Sequence, residues 1–208
     1  MKYHLNDSKL EHVSCAALYR SNTEYFPPAV IACFIISDGW SEEALLELKE
    51  KVKADILVGL QTDDHKYESL NIIEGVIRCQ PDEVNDIIKL LDVRSASTII
   101  GIDVTDVISL FECGNFFQFI QVNATGEPEL DLIKVATHKL VSQLAKAHDT
   151  RGLFVEMQSV QALPLESMAY VTEAVEGLLS GDEASIYYSS SSTDEFNTFR
   201  LKAIYAEE

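Results

Sequence analysis

Residues 29–36, Ala-Val-Ile-Ala-Cys-Phe-Ile-Ile, form an unbroken apolar run, and this run constrains the fold more than any other stretch. It is far too short to cross a bilayer. It shows no apolar/polar alternation, so it suits a strand covered on both faces. Ser37-Asp38-Gly39 breaks the run, and Ser41 offers a helix N-cap followed by the acidic first turn Glu42-Glu43. Leu45, Leu46, Leu48 and Val52 then share one face of a helix reaching about Lys53, and residues 54–60 read as a second strand. Strand, helix, strand is a βαβ unit, which requires a parallel pair with a right-handed crossover.

The rest of the chain extends this α/β class. Leu70, Ile73, Val76 and Ile77 are spaced as in a helix over Glu68–Cys79. Pro81 ends that pattern and restarts a helix near Asp82–Asp92, with Val84, Ile87, Ile88 and Leu91 inward. Residues 99–103 read as a short apolar-to-acidic loop, Val104–Phe111 as a helix and Phe116–Val122 as a strand. Gly126-Glu127-Pro128 opens a helix to about Ala147, facing inward with Leu130, Ile133, Val135, Ala136, Leu140, Val141 and Leu144. Gly152–Met157 reads as a strand and Leu165–Leu179 as a helix. Residues 184–189 and 198–205 read as two strands, and the short acidic link 193–197 makes them an antiparallel hairpin. Residues 1–28 are weakly periodic. The organisation expected is a truncated parallel βα layer with a connecting helix over 1–95, joined to a mixed α+β domain over 96–208.

Charge removes several function classes. Sixteen Lys+Arg against 34 Asp+Glu give a net charge of −18, and no basic patch stands out. Such a surface repels phosphate backbones and anionic membranes, so neither nucleic acid nor membrane is an expected partner. Met1–Ser8 carries no apolar run of a secretory signal. The four cysteines are widely separated, with Cys33 and Cys79 in apolar surroundings, which reads as buried thiols without a structural metal. A reduced cytoplasmic location follows as the expectation. Met1 and the finished final strand set the further expectation of a whole chain rather than a fragment.

The chemistry-bearing motifs are few. There is no G-x-x-x-x-G-K-[ST], no G-x-G-x-x-G and no G-x-S-x-G, so no phosphate-cradling loop and no cofactor is expected. Asp103 and Asp106 stand three residues apart at a loop-to-helix boundary. They read either as simple capping acids or as two carboxylates presented together. Asp38, Asp63, Asp64 and His65 follow the first two strands, where open parallel sheets bind ligands. They read either as solvated loops or as a cation or polar-substrate site. Ser189–Ser192 reads as a strand end or a hydroxyl-bearing modification site, and His138 as a helix-surface residue.

The order of these features resembles the second half of FtsZ, the bacterial cell-division GTPase of the tubulin superfamily. Residues 47–58 (Glu-Leu-Lys-Glu-Lys-Val-Lys-Ala-Asp-Ile-Leu-Val) are similar to that family's helix leading into its D-x-L-I-x-I strand. Gly101-Ile-Asp-Val-Thr-Asp-Val107 resembles its synergy loop, N-x-D-F-A-D-V. Gly126-Glu127 resembles its A-S-G-E turn, while Arg151-Gly-Leu-Phe-Val155 and Phe199–Tyr205 resemble its C-terminal domain. The likeness runs from about Pro28 to the end. It implies a C-terminal-like domain over 96–208 and a GTPase-like layer shortened over 1–95. The family holds its nucleotide through a G-G-G-T-G-T-G loop, and about 28 residues without such a loop stand in that place here. The family's base-contacting Asn falls near Gln80-Pro81, and Gly101 replaces the synergy-loop Asn, whereas Asp103 and Asp106 match its two acids.

The resemblance therefore implies a chain that is not a GTPase. It points to a non-catalytic interaction or adaptor module, homodimeric, that meets FtsZ or another tubulin-like filament protein through Gly101, Asp103 and Asp106. The alternative is a small-ligand or cation-binding protein, or an enzyme, using Asp38, Asp63, Asp64 and His65.

Overall fold

The structure is a computed structural model and describes residues 14–23, 25–63, 72–93, 97–127, 129–145, 150–179 and 184–207. The first apolar run becomes β2 (Ala29–Ile35), preceded by β1 (Ser14–Tyr19). Next come α1 (Glu42–Val52) and β3 (Ile56–Gln61), which complete the βαβ unit with β3 parallel to β2. Ser41 caps α1 by accepting the Ala44 N–H, and Lys53 ends it in the left-handed conformation. β4 (Gly75–Arg78), a 3-10 turn at Pro81–Glu83 and α2 (Val84–Leu91) follow. The chain continues through β5 (Thr98–Ile100), α3 (Val104–Glu112), β6 (Phe116–Thr125), α4 (Glu129–Leu144), β7 (Gly152–Ser159), α5 (Leu165–Glu176), β8 (Ser185–Ser192) and β9 (Thr198–Ala206).

These strands form one sheet in the order β1-β2-β3-β4-β6-β9-β7-β8-β5. The run β1 to β6 is parallel, β9 is antiparallel to both its neighbours, and β8 runs parallel to β7. Helices cover both faces, as a parallel sheet requires. On one face α2 and α3 pack over Ile31, Val58, Ile77, Phe117 and Ile204. On the other, α1 covers Ala32, Phe34 and Leu57, while α4 and α5 cover Val122, Leu153, Val155 and Leu201. The expected α/β class, a parallel βα layer continued by a mixed α+β region, is the observed fold.

Several expectations are corrected. The helix expected over Glu68–Cys79 is, at Gly75–Arg78, strand β4 between β3 and β6, and residues 68–71 lie outside those described. Its apolar residues fit either period, and pairing on both sides decides the matter. The hairpin of the last two strands does not form: β7 inserts between β8 and β9. Both are sheet-interior strands, and the acidic link 193–197 is only their connection. Within 1–28, which gave no pattern, β1 adds to the parallel edge. Thr98–Ile100 is a short strand on β8 rather than loop. Leu46 and Val135, assigned to inward faces, are both exposed.

Two devices fix α3 and α2 on the sheet. Gly75 opens β4 under α3, and a Cβ there would lie 2.8 Å from Phe111 Cε1 and 3.0 Å from Phe117 Cε2. Gly152 opens β7, where a Cβ would lie 2.9 Å from Cys113 Sγ at the end of the same helix. Lys202 of β9, 1% exposed, sets its Nζ 3.0 Å from Asp86 Oδ1 of α2 and 3.9 Å from Glu156 Oε2 of β7. Ser191 Oγ donates to Glu156 Oε1 at 2.8 Å, and Gln158 Nε2 donates to Ser191 Oγ at 3.1 Å. Burial pushes the Glu156 carboxyl up, against the opposing pull of Ser191 and Lys202.

Urea unfolding checks both devices. Gly75→Ala is expected to lose about 1–3 kcal/mol through overpacking against Phe111 and Phe117. Lys202→Met is expected to lose about 3 kcal/mol, because it strips the buried Glu156 of its cationic neighbour.

Candidate functional site

The acidic boundary residues sit where the sheet ends. β5 is the last strand and pairs antiparallel with β8, Thr98 opposite Ser191 and Ile100 opposite Ser190, with a shift of register between the two pairs. Ser192 N donates to Ser97 O at 2.8 Å and extends this contact by one residue. Ile99 and Ile100 are 44% and 42% exposed, an apolar pair on an edge strand. The chain then turns through exposed Gly101, anchors itself with Ile102 and Val104 against the core, and enters α3.

Asp103 is the N-cap of α3 and Asp106 its third residue, so they form a reciprocal capping box. Asp103 Oδ1 accepts from Thr105 N at 2.8 Å and from Asp106 N at 3.1 Å, and also from the Thr105 hydroxyl. Asp106 Oδ2 accepts from Asp103 N at 2.9 Å. The capping role therefore exists, and it orders both carboxylates on a solvent-facing turn. Asp103 Oδ2 and Asp106 Oδ1 take part in none of these bonds. The Thr105 hydroxyl and the backbone N–H groups hold the Asp103 carboxyl below the usual carboxylate range. The space beneath the turn, bordered by Thr98, Ile102, Glu156 and Ser189, measures about 10 Å³, too small for more than one water. The segment 98–106 thus presents an outer surface, not a pocket.

Of the second set of candidates only Asp38 and Asp63 are described, and these two do not line one cleft. Asp38 accepts from Arg20 Nη1 at 2.8 Å beside the 3-10 turn after β2. Asp63 borders a cleft at the ends of β3 and β4 that Asp38 does not line. Asp64 and His65 lie outside the described residues. Among the described residues no group of three or more His, Cys, Asp or Glu side chains is placed to hold a metal ion. Ser189, Ser190 and Ser191 are buried inside β8, and His138 is exposed on α4, its Nε2 3.4 Å from Tyr170 Oη. Cys33 and Cys79 are buried thiols, and burial pushes Cys79 up to about 12. Sequence reasoning missed the exposed edge strand beside Asp103, because three residues give no readable period.

The mixed β6-β9-β7-β8 region continuing a parallel βα layer is the fold of solved FtsZ and CetZ structures. No protein-family model and no curated protein matches the sequence. Among solved structures, the FtsZ W319Y mutant of M. jannaschii superposes with a TM-score of 0.63 at 15% identity, over 86% of this chain and 65% of that one. The empty FtsZ dimer of M. jannaschii gives 0.60 at 13%, over 86% and 63%. The GTPγS-bound CetZ2 protofilament of Haloferax volcanii gives 0.58 at 11%, over 88% and 66%. The chain thus spans slightly less than two-thirds of the FtsZ length. No helix among the described residues is long and apolar enough to cross a membrane.

The Asp103 cap yields a pH prediction. A depressed carboxylate contributes stability that is present above its unfolded pKa, near 3.9, and is lost as pH falls through the lower folded value. Asp103→Ala is expected to lower Tm at neutral pH, with the gap to wild type closing below pH ~3.9. Asp103→Asn, which still caps, is expected to stay close to wild type. Thermal melts across this range check both.

Proposed function

We propose that this chain is a non-catalytic module of FtsZ/tubulin fold that works by association, docking on a tubulin-like filament protein through residues 98–106. One observation carries the reading: an exposed edge strand with Ile99 and Ile100 leads directly into an ordered, outward-facing pair of carboxylates. Edge strands present backbone donors and acceptors to a partner, and the adjoining carboxylates add charge selection. The relatives by fold include a protofilament and a dimer, which supports association as the mode of action. Asp103 and Asp106 occupy the acidic positions of the synergy-loop-like motif, so the natural target is the nucleotide end of an FtsZ-like subunit. The sequence carries no glycine-rich phosphate loop, and the reading includes no GTP hydrolysis by the chain itself. The module acts as a homodimer in the cytoplasm, with the β1 edge of the sheet as the contact between copies.

Co-pelleting with polymerising FtsZ tests the docking. Wild type is expected in the pellet, or is expected to shorten the filaments. Asp103→Asn with Asp106→Asn keeps the caps but removes both charges, and is expected to weaken binding about tenfold. Ile99→Lys with Ile100→Lys is expected to abolish it. A wild-type protein that neither pellets nor alters polymerisation overturns the reading. Sedimentation equilibrium at micromolar concentration checks the dimer, and a monomer ends that part.

A further inference from the structure

Where β6, β7 and β8 finish and β9 begins, three connections meet around a cavity of about 210 Å³. Leu132 of α4, Val160 after β7 and Phe196 before β9 give it apolar walls. Its shape is built into the backbone. Gly126 N donates to Asn197 O at 2.9 Å, tying the connection after β6 to the one before β9. Gly126 has a φ of 132° and Asn197 a φ of 51°, a region that few residues other than glycine and asparagine tolerate. Thr198 Oγ1 donates to Phe196 O at 3.3 Å and steadies the backbone that carries the ring. Phe196 is nonetheless 81% exposed, the most exposed large apolar side chain among the described residues.

The rim is acidic. Glu127 lines the cavity and is exposed, and Asp194, also exposed, stands two residues before Phe196. Glu195 is already taken: Arg200 Nη2 donates to its Oε2 at 2.7 Å, so this pair adds no net charge. Lys139, two turns along α4 from Leu132, is held against β6 by donating to Asn123 O at 2.8 Å. No lysine, arginine or histidine is among the described residues that line the cavity. Its volume lies below the ~300 Å³ at which small-molecule sites begin. A whole small ligand would remain mostly outside, whereas one anchoring side chain of an extended peptide fills such a space.

We propose that this groove docks an extended segment of a partner protein that carries one bulky apolar side chain between basic residues. The apolar side chain enters between Leu132, Val160 and Phe196, and the flanking lysines or arginines pair with Glu127 and Asp194. Opposite charge selects such a segment, and a chain of net charge −18 draws it in from a distance. The same face of a second copy would set Glu127 and Asp194 against themselves, a like-charge contact that disfavours self-association here. The groove is separate from residues 98–106 and stands whether or not the filament-docking reading does.

Amide NMR of the isotope-labelled full chain tests this with capped pentapeptides that place leucine, phenylalanine or tryptophan between two lysines. At least one is expected to shift the amides of 126–127, 132, 160–161 and 196–198 saturably, with weaker binding as salt rises. Peptides with glutamates in place of the lysines, or alanine in place of the central residue, are expected to bind about tenfold more weakly. Phe196→Ser removes an exposed wall, and Glu127→Gln with Asp194→Asn removes the rim charge. Each variant is expected to cost about tenfold in affinity while its Tm stays near wild type. No saturable shift with any lysine-flanked peptide overturns the proposal. So do equal binding of the glutamate-flanked peptides, shifts centred elsewhere, or an affinity unchanged in both variants. Shifts of the same amides on concentrating the chain alone give the groove to a second copy and overturn it too.

Discussion

β6 is the strand on which the molecule depends, because it is parallel to β4 on one side and antiparallel to β9 on the other. That double pairing fuses a parallel βα layer and a mixed region into one sheet. It works because both faces of β6 are apolar: Phe117 and Phe119 enter the core under α2 and α3, while Ile120, Val122 and Ala124 enter the core under α4. A polar face on this strand would leave one of the two cores unfilled.

The second constraint is the seating of α3. Glycines at the starts of β4 and β7 let the end of this helix approach the sheet where any side chain would collide with Phe111 or Cys113. With that end fixed, the other end, Asp103 with its cap, is held at the rim beside β5. The acidic turn is thus placed by packing at the far end of its own helix. α2 is held differently, by an ion pair from Asp86 to a lysine buried in the middle of β9. The pair joins the helix that follows the parallel layer to the mixed region.

Much of this was legible in order and type. The first apolar run, its capped helix and its parallel partner follow from period, capping and length, and so do α2, α3, β6, α4, β7 and α5. Illegible elements were those whose identity rests on neighbours distant in sequence. Val76 and Ile77 fit a helix until β3 and β6 are seen to flank them. Three-residue β5 has no period at all. Residues 184–189 and 198–205 read as strands, and strands stand there at Ser185–Ser192 and Thr198–Ala206, but their proximity in sequence suggested a pairing that β7 prevents. For the sites, Asp103 and Asp106 could be found from their spacing, whereas Gly126 and Asn197 could not, being far apart in the chain and joined only through the register of β6 and β9.

The sequence by itself determined the α/β class, the ends of most helices and the capping chemistry of the acidic turn, because each depends on contacts within a few residues. It also determined the net charge of −18. Only the tertiary structure decided the strand order, the edge position of Ile99 and Ile100, and the meeting of Gly126 with Asn197. Those features come from hydrogen bonding between strands far apart in the chain, and no local pattern encodes which strand lies beside which.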